Sequence, residues 1–435
     1  MVIFLTGATG LIGSAVARRF LALGHTVICG VRNPGAARER LPGCRVVPLD
    51  FARLADAASS APPLDGVDAL VNAVGIFGDA SGHDFQRLHT DAPVHLFRAA
   101  VHAGVRRIVQ ISALGADEHA RSAYHLTKRA ADDALLALPV SSLILQPSLV
   151  FAPQGRSTRF LTMWATLPVV PLPGAGDQQV QPVHLDDLVD VIATAAVMRL
   201  TEGAHGGERV AVVGPEALTL RAYLALLRRL AGGTPPLFLP VPRACVQFAA
   251  RLGEHMPGSL ISTDAIDMLE RGNVAPADQV TRWLGRAPRA LSSLPPEREQ
   301  FGASARLEWL LPLLRVSIAA VWIWTAIVSA GLYPVPASYA LLARVGAPSG
   351  WRPALLYSAA LFDLVLGVLS LWWPVRLGPR ARLWAFQIAL IALYTLLISW
   401  RLPEFWLHPY GPLSKNLPMI AALICLIELD WRGKP

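Results

Sequence analysis

The sequence predicts an α/β fold, a doubly wound parallel sheet with a small lid, followed by an all-α domain of four membrane-crossing helices. Three observations carry this. A glycine turn follows the first apolar run, apolar runs and helix-like stretches alternate through the first 300 residues, and charge disappears from long runs afterwards.

The first element is the strand-like run Val2-Ile3-Phe4-Leu5, followed by Gly7-Ala8-Thr9-Gly10-Leu11-Ile12-Gly13. Glycines there let the backbone approach a pyrophosphate, and the following helix N-terminus offers free N–H groups and partial positive charge. Ala15, Val16, Ala17 and Phe20 continue as an amphipathic helix that Gly24-His25 ends. Thr26–Val31 then reads as a second strand, so the turn has the strand–turn–helix–strand context of a dinucleotide site.

Arg32 follows the second strand where an adenosine ribose arrives. A carboxylate there suits NAD, whereas arginine accommodates a 2′-phosphate, so NADP(H) is favoured over NAD(H). Val46–Asp50 reads as the third strand, with Asp50 placed to approach the adenine. Ala69–Gly75 reads as the fourth, its end Asn72-Ala73-Val74 letting a cofactor lie close, and Arg106–Ser112 as the fifth. A helix is expected over Ala92–Ala103.

Tyr124 and Lys128 are the catalytic candidates, since a spacing of four puts both side chains on one helix face. A nearby ammonium favours the tyrosinate, so the phenol can exchange a proton with a carbonyl or alcohol oxygen. His184 before Asp186-Asp187 reads as a helix start with dipole-favourable acids, and no metal site is assigned. Phe160, Met163 and Trp164, at helical spacing, read as core of the lid.

The first 300 residues resemble an extended or atypical short-chain dehydrogenase/reductase. The resemblance rests on Thr-Gly-Ala-Thr-Gly-Leu-Ile-Gly at 6–13, Asn72–Gly75, Tyr124-His125-Leu126-Thr127-Lys128, Pro147–Phe151, Pro182–Leu188 and Leu239–Pro242. The most similar branch is the one related to the nucleotide-binding accessory subunit of respiratory complex I. It implies cofactor contacts at Gly7 to Gly13, Arg32, Asp50, Asn72 to Val74, Tyr124, Lys128 and Pro147. Active members also carry a Ser or Thr after the fifth strand to hold the substrate oxygen. Ser112 fills that place in one alignment, and Ala113 in another, which leaves the donor missing.

Of 435 residues, 53% are apolar and 16% charged, too greasy for a soluble enzyme of this size. Residues 316–343 and 383–400 contain no Asp, Glu, Lys or Arg, and 353–375 contain only Asp363. These runs suit membrane spans, a weaker fourth follows Lys415, and tryptophans crowd the region as an interfacial belt would. The expected domains are 1–303, the dinucleotide domain with its lid, and 304–435, the membrane domain. Arg315, Arg376, Arg380, Arg382 and Arg432 are expected on the cytoplasmic side, with Arg344, Arg352, Arg401 and Lys415 opposite. The formal charge of +8 therefore reads as membrane-flanking arginine, with no nucleic-acid surface. Met1 leads straight into the first strand, so no targeting segment is expected, and four cysteines without metal spacing are expected to be reduced.

The tail resembles the DoxX-like family of small four-span proteins, on Arg315, Trp322–Thr325, Asp363 and Gly411–Pro418. Asp363, deep in a span, is either a proton or quinone-contact residue or a structural hydrogen-bonding group.

The expected activity is an NAD(P)H-dependent oxidoreductase tethered to a bacterial-type inner membrane, with both termini cytoplasmic. Its expected substrate is a small lipophilic carbonyl, quinone or isoprenoid, and its partners are the lipid bilayer and a membrane protein or second copy of itself. The alternative is a non-catalytic NADP(H)-holding scaffold or redox sensor, and the third reading is a sugar-nucleotide epimerase or dehydratase.

Overall fold

A computed structural model describes the chain apart from residues 57–61, 77–84, 199–205, 256–259, 296–298, 410 and 433–435. It divides into two compact units, Met1–Ala305 and Arg306–Pro435.

The first unit is built on the strands β1 (Val2–Thr6), β2 (Thr26–Val31), β3 (Arg45–Pro48), β4 (Ala69–Asn72), β5 (Arg107–Ile111) and β6 (Ser141–Pro147). Four short strands follow, β7 (Val150–Phe151), β8 (Val169–Pro173), β9 (Gln179–Val180) and β10 (Val183–His184). After them come β11 (Gly206–Val212), β12 (Leu218–Thr219) and β13 (Leu237–Val241). The main sheet has seven strands in the order β11-β6-β5-β4-β1-β2-β3, with every adjacent pair parallel. The order reverses between β1 and β4, and open parallel sheets bind ligands beyond the strand C-termini at such a reversal. This is the doubly wound Rossmann sheet expected from the sequence.

Helices cover both faces: α1 (Leu11–Ala22), α2 (Pro34–Arg40), α3 (Ala92–His102), α4 (Ala123–Leu136) and α6 (Leu185–Val197), while α5 (Arg156–Ala165) packs away from the main sheet. Ile3 and Leu5 pack one face with Val16, Phe20, Leu188 and Ile192, while Phe4 packs the other with Leu96, Phe97 and Leu135. Such alternation along β1 is the period-two geometry of a strand buried on both sides. The remaining helices of this unit are α7 (Leu220–Leu230), α8 (Arg243–Glu254), α9 (Thr263–Arg271) and α10 (Asp278–Leu284). Phe151, Val170, Leu172, Tyr223, Leu224 and Leu227 form a separate apolar core there. Trp164 and Leu161 pack against it, whereas Phe160 lies tilted against Trp164 with ring centres 6.3 Å apart.

The second unit contains the greater part of α11 (Glu299–Ile327), which begins in the first, and then α12 (Val335–Val345), α13 (Arg352–Leu371), α14 (Ala381–Arg401) and α15 (Asn416–Arg432). Among the described residues, three helical stretches are long and apolar enough to cross a membrane: Phe301–Leu332, Ser349–Leu371 and Ala381–Arg401. The charge-free run 316–343 is not one span, because Gly331 at φ 156° and Pro334 break it before α12. The fourth expected span falls on α15, which has 17 residues, short of the roughly 20 needed to cross the hydrocarbon unaided. It nevertheless belongs to the bundle, since Leu423 and Leu426 share a core with Ile318, Trp322, Leu366, Trp384 and Ile391. Asn416 donates to Thr395 at 2.7 Å and Asp430 accepts from Trp384 at 2.7 Å, which sets α15 antiparallel along α14.

Inside the bundle, Trp322 Nε1 donates to Gln387 Oε1 at 3.0 Å, and Gln387 Nε2 donates to Ser370 Oγ at 2.9 Å. Asp363 is buried on α13, and its Oδ1 has no hydrogen-bond partner among the described residues. Arg315 pairs with Asp430 while Arg380 stacks over Trp384 at 5.3 Å, gathering both arginines at one end of the bundle. Arg344 pairs with Glu404.

Candidate functional site

The glycine turn has no room for side chains. Gly7 sits at φ +70°, and a Cβ there would meet the Ala73 carbonyl oxygen at 2.5 Å. A Cβ on Gly13 would meet the Gly7 carbonyl oxygen at 2.2 Å. Gly10 N–H closes the turn on Gly7 O at 2.9 Å, and Gly10 caps α1 with no side-chain hydrogen bond. The first-turn N–H groups of α1 are thereby left for an anion, beside exposed Thr9 and buried Ala8. These residues fit a dinucleotide pyrophosphate.

Polar side chains run across the strand ends beside this turn. Thr6 Oγ1 donates to Asn72 Oδ1 at 2.6 Å, and Asn72 Nδ2 donates to Gln110 Oε1 at 2.7 Å. All three residues are buried, so β1, β4 and β5 are tied together where Ala73 and Val74 leave the sheet. Val74 N–H also donates to Asn72 Oδ1, at 3.3 Å. Arg32 is exposed one residue beyond β2. Asp50 accepts from Ala52 N–H at 3.1 Å and pairs with Arg53, so its local role is to cap a short turn. Pro147 ends β6, buried, and its carbonyl accepts from Leu114 N–H at 2.9 Å.

Ser122 caps α4, accepting from His125 N–H, and the helix then places Tyr124, Lys128 and Asp132 on one face at spacings of four. Lys128 is 2% exposed, and its Nζ donates to Val74 O and Ile111 O, each at 3.1 Å. A Cβ on Gly75 would stand 3.2 Å from that nitrogen. The lysine head therefore lies directly under the end of β4. Asp132 is fully buried and accepts from Ser112 Oγ. Burial depresses the Lys128 pKa and raises that of Asp132, and each charge partly offsets the effect on the other. Ser112 is buried and Ala113 follows it, also buried. The Ser112 hydroxyl is thus committed to Asp132, on the interior side of α4.

The Tyr124 ring lies among three others, 5.4 Å from His89, 5.4 Å from His125 and 6.3 Å from Phe85, all edge-on. The sequence led us to expect a phenol eased toward ionisation by Lys128. Burial pushes the Tyr124 pKa up to about 12, and the negative charge of Asp132 adds to this. The lysine head is held by two backbone carbonyls, Val74 O and Ile111 O.

His89 and His125 were not singled out by the sequence. His89 lies on a π-helical turn, Gln86–Asp91, a distortion common at functional positions. Its Nε2 accepts from Ile76 N–H at 3.2 Å, so Nδ1 carries the proton toward Thr127 Oγ1, also at 3.2 Å. Burial and then the Lys128 charge lower its pKa to about 3. His125 Nδ1 meets Ser122 Oγ at 3.2 Å, and burial followed by the Arg271 charge lowers its pKa to about 4. A cavity of about 410 Å³ opens beside it, lined by Arg121, Ser122, His125, Arg243, Glu270 and Arg271. Arg243 pairs with Glu270, and Arg271 donates to Asp117 at 2.6 Å and to Gly115 O at 2.8 Å. The wall facing α4 is thus formed by α8 and α9. His184, as expected, caps α6, accepting from Asp186 N–H, while buried Asp187 is held by Arg286 and Arg289.

Residues 3–210 match the NAD dependent epimerase/dehydratase family, and residues 319–424 match the DoxX-like family. The chain is 30% identical over 237 residues to the (4-alkanoyl-5-oxo-2,5-dihydrofuran-3-yl)methyl phosphate reductase of Streptomyces griseus, covering 53% of this chain and 74% of that protein. The chain belongs to the NAD dependent epimerase/dehydratase family. It is also 25% identical over 259 residues to NADH dehydrogenase [ubiquinone] 1 alpha subcomplex subunit 9 of Arabidopsis thaliana, covering 56% of this chain and 62% of that one. A ceramide reductase of Caulobacter vibrioides is 28% identical over 194 residues, covering 43% and 58% of the two chains. The chain thus spans less than two thirds of the length of these last two relatives. Membership in the epimerase/dehydratase family agrees with the dinucleotide cradle of the first unit. The DoxX-like match and the three apolar helices make the second unit a membrane-associated one.

Proposed function

We propose that the chain is a membrane-tethered, NADP(H)-dependent reductase of a lipophilic carbonyl compound, with its first unit on the cytoplasmic face of a bacterial-type membrane. The observation that carries this reading is the anchoring of Lys128 beneath Gly75, one helical turn from Tyr124 at the end of β4. The cradle of Gly7, Gly10 and Gly13 would hold the pyrophosphate, Asn72 to Val74 and Pro147 the nicotinamide end, and Arg32 a 2′-phosphate. A bound NADPH supplies the hydride. Tyr124 donates its phenolic proton to the carbonyl oxygen as the carbon is reduced to an alcohol, and the Lys128 ammonium stabilises the tyrosinate left behind. Solvent then restores the proton. The water-poor ring of Phe85, His89 and His125 keeps the phenol protonated until that step. Kinship with a ceramide reductase and with an alkanoyl-furan phosphate reductase supports a substrate with long alkyl chains.

The full-length protein in mild detergent, given NADPH and a lipid extract of its own membranes, tests this. Extract-dependent NADPH oxidation, lost in Tyr124→Phe, is expected. An equal rate in the variant overturns the mechanism.

A second reading, a dinucleotide-holding scaffold or redox sensor, is favoured by the burial of Ser112 against Asp132 and by the likeness to a complex I subunit. It predicts NADPH retained through purification without turnover on any extract. Epimerase or dehydratase chemistry ranks third.

A further inference from the structure

Helix α8 carries three distinct stripes. Val246, Ala250 and Gly253, spaced by four and three, face the protein, and the last two are buried. Arg243, Gln247, Arg251 and Glu254 form a polar stripe. The third stripe, Cys245, Phe248, Ala249 and Leu252, has the i, i+3, i+4, i+7 spacing of an apolar helix face, yet it is exposed. Phe248 is 65% and Leu252 56% exposed. The strand entering this helix adds to it, since Leu237 and Leu239 of β13 are exposed and Leu237 lies beside exposed Val169 in the parallel pair. A soluble helix of 12 residues with a core-like face left in water is costly, at about 25 cal/mol per Å² of apolar surface.

We propose that the apolar stripe of α8 seats in the interfacial region of the lipid bilayer to which the chain's own membrane helices hold the first unit. Three observations favour a bilayer as the occupant. The same chain carries three helices able to cross a membrane, so a bilayer surface is always at high local concentration. Arg251, exposed and next to Phe248 around the helix, flanks the stripe on one side, as cations flank the buried face of interfacial helices that meet anionic headgroups. Phe and Leu on one face with Arg beside them, without length enough to span, is the composition of a helix that lies in the interface plane. The position of α8 gives this contact a use. Arg243 at its start lines the cavity beside His125, so seating α8 brings a wall of that cavity to the surface where a lipophilic compound dissolves. The inference needs membrane attachment only and does not depend on the reductase reading.

The test uses the full-length chain in nanodiscs of anionic and zwitterionic phospholipid, with one chain per disc. Cys44→Ser and Cys425→Ser leave exposed Cys245 as the labelling site, since Cys29 is buried. A fluorophore on Cys245 is expected to be quenched several-fold more by doxyl groups carried on the lipid chains than one on the polar stripe, placed by Gln247→Cys with Cys245→Ser. Phe248→Glu with Leu252→Glu is expected to remove that difference while dinucleotide binding stays intact. A Cys245 label reached equally by iodide in water, with no doxyl quenching, overturns the proposal. So does protection from iodide without doxyl quenching, which would mean that protein covers the stripe.

Discussion

The Ser112 hydroxyl donates a hydrogen bond to the carboxyl of Asp132, a side chain fully enclosed by the protein. The bond ties the end of β5 to the middle of α4, two turns beyond Tyr124. It makes Ser112 a support for the helix that carries the pair, and takes it away from a substrate oxygen.

Ser112→Ala is therefore expected to lower stability by about 1–3 kcal/mol, because Asp132 loses a buried donor. Turnover per folded molecule should stay within about threefold of the parent. A role in holding the substrate oxygen would instead cost roughly 10²-fold or more. Chemical denaturation and single-substrate kinetics on the same preparation separate the two.

Gly75→Ala probes the lysine seat. The new methyl would stand 3.2 Å from Lys128 Nζ, forcing the ammonium off its two carbonyls by a few tenths of an ångström. We expect turnover to fall by about tenfold with the melting temperature little changed, since misplacement of a reacting group is felt more in rate than in folding.

Arg32→Asp exchanges a cation for the carboxylate that ribose hydroxyls prefer. NADPH affinity should drop by about 2 kcal/mol, the cost of a lost charge-assisted bond, while NADH affinity holds or rises. Isothermal titration with both dinucleotides reads the ratio. Unchanged preference would move the 2′-phosphate contact elsewhere.

His89 and His125 make the first unit sensitive to acid. Both are held neutral, with folded pKa values lowered from 6.5 to about 3 and about 4. A lowered value means the unfolded chain binds the proton first. The stability is present above pH 6.5 and lost as pH falls toward 4. At pH 5 each histidine would have withdrawn up to about 2 kcal/mol. Melting curves at pH 7.5 and 5 should diverge for the parent, and His125→Asn should narrow the gap even where it lowers both temperatures.

Gln387 is the centre of the polar line inside the second unit, joining Trp322 to Ser370. Gln387→Leu strands the Trp322 N–H among apolar side chains, a loss of roughly 1–2 kcal/mol for such bonds between membrane helices. Unfolding in detergent, followed by tryptophan fluorescence, should begin earlier in the variant.

Much of the fold was legible because its signals are local. The turn at Gly7, the alternation along β1 and the spacing of Tyr124 and Lys128 each lie within a dozen residues, and the structure displays them directly. What sequence could not reveal depends on partners far along the chain. Asp132 becomes the partner of Ser112 only when α4 packs under β5, twenty residues back. His89 gains its role by receiving Ile76 N–H and facing Tyr124, and no nearby pattern marks it. His125 stood next to Tyr124 in plain view, but only the loop at Gly115 and the side chain of Arg271 make it a cavity wall. In the second unit, hydropathy located the apolar stretches but not the break. Gly331 and Pro334 act through backbone angles, to which a count of charges is blind.

The line from Thr6 through Asn72 to Gln110 turns three separate strands into one mechanical part. Parallel strands in a twisted sheet can slide slightly past one another, and their ends are where such play is largest. Here the ends are pinned crosswise by side chains, so the platform that a flat aromatic ring would rest upon is set before anything lands on it. Arrival then spends little freedom on tidying the floor. The same pinning makes Asn72 a shared fault point, where trimming one amide would loosen the seating of β1, β4 and β5 together.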